Sequence, residues 1–247
     1  MYSRESKRSS IIDQFVEEPI MYYPVEDYDG IKYRQFFLPQ EPAGYGRDEI
    51  LEKEIYEFLD YWCDYPKEFK ILDVAYIKLT WIADLLSVVP YRRALGEWGT
   101  GKSRWAECIL ALSQCGFKQG ATATAPGIFR KADLYRGTQG FDENEYSGNS
   151  SISEAIHLVL NCSYSRATGA VTRMEKSGGD FIPKQCICYG PKIIAARKGF
   201  VDVATESRCI THRSFKSKKV PLDTRQRLLQ NRSRSQEQAI VLETLPC

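Results

Sequence analysis

Eight consecutive residues constrain this chain more than any others: Gly96-Glu97-Trp98-Gly99-Thr100-Gly101-Lys102-Ser103. They fit the pattern G-x-x-x-x-G-K-[ST], in which a glycine-rich bend turns successive backbone N–H groups onto an anion and the next helix adds its dipole. The pattern demands a strand before it and a helix after it. Tyr91–Leu95 reads as the entering strand. Trp105, Cys108, Ile109, Ala111 and Leu112 recur at helical spacing beyond Ser103, with Gly116 placed to end the helix. Nucleotide contact is expected from Gly96, Glu97, Trp98, Gly99, Thr100, Gly101, Lys102 and Ser103, and from Arg104 next to them. Lys102 would meet the terminal phosphates, and the Ser103 hydroxyl would ligate Mg2+. The expected cofactors are therefore a nucleotide and Mg2+.

A phosphate loop of this kind needs a carboxylate at the end of a nearby strand to hold the metal, often beside a second one that aligns water. Asp142-Glu143, after Gly137–Phe141, is the best candidate: Asp142 for the metal, Glu143 as general base. Gln139 and Gly140 interrupt what is usually an apolar run, and a solvated acidic loop is the alternative reading. The forty residues from Ser103 suit a sheet in which the acidic strand is not the immediate neighbour in sequence.

The remaining elements follow from periodicity. Residues 1–45 are rich in Tyr, Pro and acidic residues and read as irregular, with a short strand near Ile31–Phe37. A helical lead-in covers 48–88: one amphipathic helix from Asp48 to Trp62, and a second running from Ile71 to Leu86 that Pro90 closes. After the phosphate-loop helix, Gly120–Thr124 reads as the second strand, Ile128–Leu134 as a helix and Ser151–Cys162 as another. Ser177-Gly178-Gly179-Asp180 between Val171–Met174 and Ile182–Tyr189 is a hairpin signature. Lys192–Ala196 and Arg208–Thr211 read as closing strands. The alternation of strand and helix predicts an α/β fold with a mostly parallel sheet covered on both faces. The division expected is an irregular segment 1–45, a nucleotide-binding domain 46–215 with its core at 91–215, and a basic tail or lid remnant 216–247.

Composition excludes several alternatives. Basic and acidic residues number 34 and 32, so nucleic-acid contact would need a local patch. No apolar run approaches the ~18 residues of a membrane span, and Met1–Ser10 carries no apolar signal core. A cytoplasmic protein with no membrane contact is expected, its eight cysteines buried as free thiols.

Taken in order, several segments resemble the AAA+-type P-loop ATPases of phage- and plasmid-borne replication proteins, including primase–helicase relatives. These are Thr80-Trp81 through Pro90-Tyr91, Gly96–Ser103, Phe129-Arg130, Gly137-Thr138 with Asp142-Glu143, Leu160-Asn161, Val171–Arg173, Tyr189–Ala195 and Ser207–Ile210. The resemblance spans roughly residues 48–215. It implies an ATP-hydrolysing assembly, commonly a ring of identical subunits, acting on DNA in replication or unwinding. It implies a γ-phosphate sensor at Arg197 or Lys198 in place of the usual Asn. It also implies an arginine finger at Arg208, for which a surface salt bridge is the alternative. The hairpin from Ala170 to Tyr189 resembles a pore-facing insertion. Arg173, Lys176 and Lys184, or the basic tail from His212 to Arg234, are the candidates for DNA contact. A plain surface hairpin and a solvated tail are the alternatives. The C-terminus departs from the family in leaving little chain for a helical lid. That departure and the broken apolar strand before Asp142 favour one alternative, a nucleotide-gated DNA-binding module with little turnover; the other is a small-molecule kinase, which shares the loop.

Overall fold

The computed structural model describes residues 46–119, 124–142, 150–177 and 180–216, together with the short strands Tyr2–Ser3, Arg8–Ser9, Phe15–Glu17 and Ile20–Tyr22. The chain divides into two units, Met1–Lys53 with Pro221–Cys247, and Glu54–Val220. In the first, Tyr2–Ser3 pairs antiparallel with Arg8–Ser9, and Phe15–Glu17 with Ile20–Tyr22. The expected strand near Ile31–Phe37 and the tail beyond Lys216 lie outside the described residues.

The second unit is built on a five-stranded parallel sheet. Its strands are β1 (Tyr91–Leu95), β2 (Phe117–Lys118), β3 (Gln139–Asp142), β6 (Lys192–Ala196) and β7 (Cys209–Arg213), in the order β7-β1-β6-β3-β2. Between β3 and β6 the chain forms a separate antiparallel hairpin, β4 (Ala170–Ser177) with β5 (Asp180–Ile187). The described α-helices of the chain are α1 (Asp48–Trp62), α2 (Lys67–Thr80), α3 (Lys102–Leu112), α4 (Ala125–Tyr135), α5 (Ser150–Cys162) and the short α6 (Val203–Ser207). The fold is thus the expected P-loop α/β type, with every pairing in the central sheet parallel.

Side-chain alternation along β1 explains the two layers. Tyr91 and Leu95 face a core shared with Phe141, Ile194, Ile128 and Phe129 of α4, and Ile152, Val159 and Leu160 of α5. Full burial of each such side chain contributes roughly 1.5–3 kcal/mol. Arg92, on the opposite face, meets α2 and α3 through Asp73 and Trp105. Parallel strands covered on both faces are usually apolar throughout. Arg92 and Arg93 are tolerated in β1 because each is paired: Arg92 with Asp73, and Arg93 with Glu206 of α6 through both terminal guanidinium nitrogens.

Two elements differ from the sequence reading. The second helix ends at Thr80, with a 3-10 turn at Ala83–Leu85, and does not run on to Leu86. Thr80 Oγ1 donates back to the Ile77 carbonyl and accepts from Gln114 N, while Trp81 Nε1 donates to the Leu112 carbonyl. These tertiary bonds stop the helix where apolar periodicity alone continues it. The second strand lies at Phe117–Lys118, three residues ahead of the expected Gly120–Thr124. Phe117 is buried and aligned with Gln139 on β3. Residues 120–123 lie outside the described part, and Thr124 is the N-cap of α4, its Oγ1 accepting from Gly127 N at 3.3 Å.

Candidate nucleotide site

The loop after β1 is held in shape by its own glycines. Gly99 and Gly101 have φ of +72° and +83°, a region that costs other residues roughly 1–2 kcal/mol. Gly96 is required for a different reason. A Cβ there would stand 2.5 Å from the Ser214 carbonyl oxygen and 2.8 Å from Thr100 Oγ1. The entry to the loop is pinned by neighbours on both sides, since Gly96 N donates to the Ala196 carbonyl and Ser214 N to that of Leu95. Gly101 then caps α3, so the helix N-terminus opens at Lys102, as the motif requires.

Inside this bend Lys102 Nζ donates to the Glu97 carbonyl at 2.8 Å, and Thr100 Oγ1 donates to the same carbonyl at 2.8 Å. Lys102 is almost fully buried. Its ammonium therefore rests on main-chain oxygen at the centre of the loop, where an anion's oxygens would compete for it. Glu97, Trp98 and Gly99 form the exposed crest. Arg197, the first residue after β6, lies with its guanidinium carbon 4.9 Å from the Trp98 ring centroid. The residue at the expected sensor position thus overhangs the loop.

Asp142 ends β3, two positions from β1 in the sheet, with β6 between them. Ser103 Oγ nevertheless donates to Asp142 Oδ2 at 2.5 Å. Gly140 makes this approach possible. It shares a sheet face with Asp142, and a Cβ on it would fall 2.4 Å from Leu110 Cδ1 of α3. The residue that interrupts the apolar strand in the sequence is the one that lets the phosphate-loop helix settle against that strand. Asp142 is buried, with Lys118 Nζ 3.7 Å from Oδ2, and Lys118 also lies 3.8 Å from Glu107 Oε1. A serine hydroxyl and a buried carboxylate held together are hard oxygen donors of the kind Mg2+ takes, so the residues present fit that ion. Glu143 lies outside the described residues.

Lys118 is the contact that sequence reasoning missed. Misplacing the second strand at Gly120–Thr124 removed Lys118 from the sheet. With β2 at Phe117–Lys118, its register opposite Gly140 puts it beside Asp142.

The other expected residues fall elsewhere. Arg208 precedes β7, whose first residue aligns with the first of β1, so it stands at the end of the sheet away from the loop. Its Nη1 donates to the Leu160 and Asn161 carbonyls near the C-terminal end of α5, and its guanidinium packs over Tyr164. On the hairpin, Arg173 pairs in register with Lys184 and lies 4.5 Å over the Phe129 ring of α4. Ile187 N donates to Asp133 Oδ1, tying the hairpin base to the same helix. The Lys176 side chain lies outside the described part. Among the described residues no helix is long and apolar enough to cross a membrane.

No protein-family model matches the chain, and no curated protein does. Among solved structures it is similar to the apo A form of the NrS-1 C-terminal region, at 13% identity and a TM-score of 0.46, over 99% of this chain and 54% of that one. A second structure of that region, residues 305–718, gives 14% identity and a TM-score of 0.45, over 99% of this chain and 53% of the other. JCV helicase bound to a small-molecule acetamide gives 16% identity and a TM-score of 0.40, over 81% and 55%. The chain spans about half the length of these structures.

Proposed function

We propose that this protein binds ATP with Mg2+ and hydrolyses it, as an AAA+-like P-loop ATPase. The reading rests on one observation: Ser103 Oγ and Asp142 Oδ2 meet at 2.5 Å, beside a left-handed glycine bend that opens a helix at Lys102. In this reading the N–H groups from Gly99 to Ser103 receive the phosphates, and Lys102 exchanges the Glu97 carbonyl for phosphate oxygen. Ser103 and Asp142 would hold the metal, whose positive charge would favour phosphoryl transfer when bound. Glu143, the next residue, is assigned the alignment of the attacking water. Arg197, over the loop crest, is assigned contact with the terminal phosphate.

The reading extends to the assembly. Residues 46–215 form the ATPase domain, with 1–45 and 216–247 as flanking segments. Arg208 lies too far along the sheet to serve its own loop, so its role as an arginine finger belongs to a ring in which it reaches a neighbour's nucleotide. DNA is the proposed polymer, met through Arg173, Lys176 and Lys184 of the hairpin or through the basic tail, in replication or unwinding.

An ATPase assay with and without single- and double-stranded DNA tests this reading. Turnover that DNA stimulates supports it. Binding without turnover in any condition would leave a nucleotide-gated DNA-binding module, and turnover only with an added small-molecule acceptor would make the protein a kinase.

A further inference from the structure

Lys118 stands between two carboxylates at the rim of the candidate site. Its Nζ lies 3.7 Å from Asp142 Oδ2 and 3.8 Å from Glu107 Oε1. The two acids are not alike. The Asp142 side chain is 4% exposed, whereas that of Glu107 on α3 is 47% exposed. A charge in the drier position is less screened and gains more from a counter-ion. The cross-strand partner of Lys118 is Gly140, which itself puts no side chain between Lys118 and Asp142 two residues on. A lysine ammonium on its flexible four-carbon stem suits such a double seat.

We propose that Lys118 is a resident counter-ion for Asp142 that yields to the divalent metal, and that Glu107 receives its ammonium when it does. The inference rests on the metal role given above to Ser103 and Asp142. A doubly charged ion bound at Asp142 removes the attraction that holds Lys118 there and repels the ammonium. Glu107, one helical turn beyond Ser103, offers an alternative seat. While no metal is bound, Lys118 keeps the Asp142 carboxylate from opposing phosphates in the loop. Lys118 thus sets how strongly the metal and the nucleotide depend on each other, a coupling that is reciprocal by linkage.

The test is a titration of ADP into the full-length protein, once with EDTA and once with saturating Mn2+, taking the ratio of the two dissociation constants. The wild type should bind ADP more tightly with Mn2+. Lys118→Met should raise the ratio by about three- to tenfold, mainly by weakening binding in EDTA. Glu107→Gln should lower it, and Lys118→Arg should stay near wild type. The melting temperature of Lys118→Met in EDTA should fall below wild type and recover part of the difference with Mn2+ and ADP. A wild-type ratio of one removes the metal role itself and this inference with it. A wild-type ratio above one that both Lys118→Met and Glu107→Gln leave unchanged overturns the counter-ion role alone.

Discussion

Arg92 and Asp73 form an ion pair from which water is wholly excluded: Arg92 Nε donates to Asp73 Oδ1 at 2.5 Å, and both side chains have no exposed surface. Asp73 Oδ2 accepts from Tyr65 OH at 2.7 Å and from Trp105 Nε1 at 2.9 Å. One carboxylate on α2 is therefore bonded to the strand that enters the phosphate loop and to the helix that leaves it. Removing it would strand a guanidinium in the core. Asp73→Ala should cost about 3–5 kcal/mol in urea unfolding, and Asp73→Leu combined with Arg92→Met much less, because the second change removes the orphaned charge. A single variant within 1 kcal/mol of wild type, roughly the value of an exposed pair, would show that the pair carries no such weight.

His212 on β7 should make the fold acid-sensitive. Its ring lies 4.9 Å from that of Trp105, 5.1 Å from Tyr65 and 5.5 Å from Phe69. Burial, reinforced by the Arg92 charge, pushes the imidazole down to about 3. The unfolded chain, with histidine near its usual value of about 6.5, then binds more protons than the native one at any pH between those values. Stability must fall as pH drops below about 6.5 and stop falling on this account near 3. From pH 7 to pH 5 the loss from this residue is about 2 kcal/mol. His212→Phe should flatten the stability profile over that interval. An unchanged slope would place the acid sensitivity elsewhere.

Lys102→Ala should abolish high-affinity ATP binding while leaving the fold intact. Its ammonium bonds the Glu97 carbonyl within the loop itself, and Thr100 Oγ1 holds the same carbonyl independently. Isothermal titration with ATP and Mg2+ reads the loss, and circular dichroism checks the fold. Affinity equal to wild type would dispose of the phosphate-loop role. Glu143→Gln should keep binding and lose hydrolysis by about a hundredfold or more, the ordinary contribution of a positioned general base. Full turnover in that variant would assign the base to another residue.

Gly140→Val should destabilise the protein by about 1–3 kcal/mol and weaken nucleotide binding at the same time. Its side chain would enter space that Leu110 occupies, and Leu110 belongs to the helix carrying Lys102 and Ser103. Adding Leu110→Ala should restore part of both losses. If the double variant is no better than Gly140→Val, the strand itself, and not its fit to the helix, is at fault.

The phosphate loop, its strand and its helix were legible in the sequence because local chemistry specifies all three: glycines where φ is positive, apolar spacing of 3.6 behind the lysine. The ends of α1 and α5 and the strand Lys192–Ala196 followed from periodicity for the same reason. What escaped was set by distant partners. The helix ends at Thr80 because Gln114 N donates to Thr80 Oγ1 and the Leu112 carbonyl accepts from Trp81 Nε1, both from across the domain. Phe117–Lys118 is a strand of two residues, too short for any alternation to register, and it exists because β3 pairs with it. Gly140 looked like a flaw in an acidic strand until Leu110 accounted for it.

The order of strands has a consequence for how such a chain matures. The strand that feeds the phosphate loop, Tyr91–Leu95, pairs only with Lys192–Ala196 and Cys209–Arg213 among the described strands. During synthesis it waits about a hundred residues for its first bonding neighbour, a long separation of the sort that slows folding. A nascent chain stopped between Asp142 and Lys192 would carry the loop and its carboxylate with no strand yet paired beside Tyr91–Leu95.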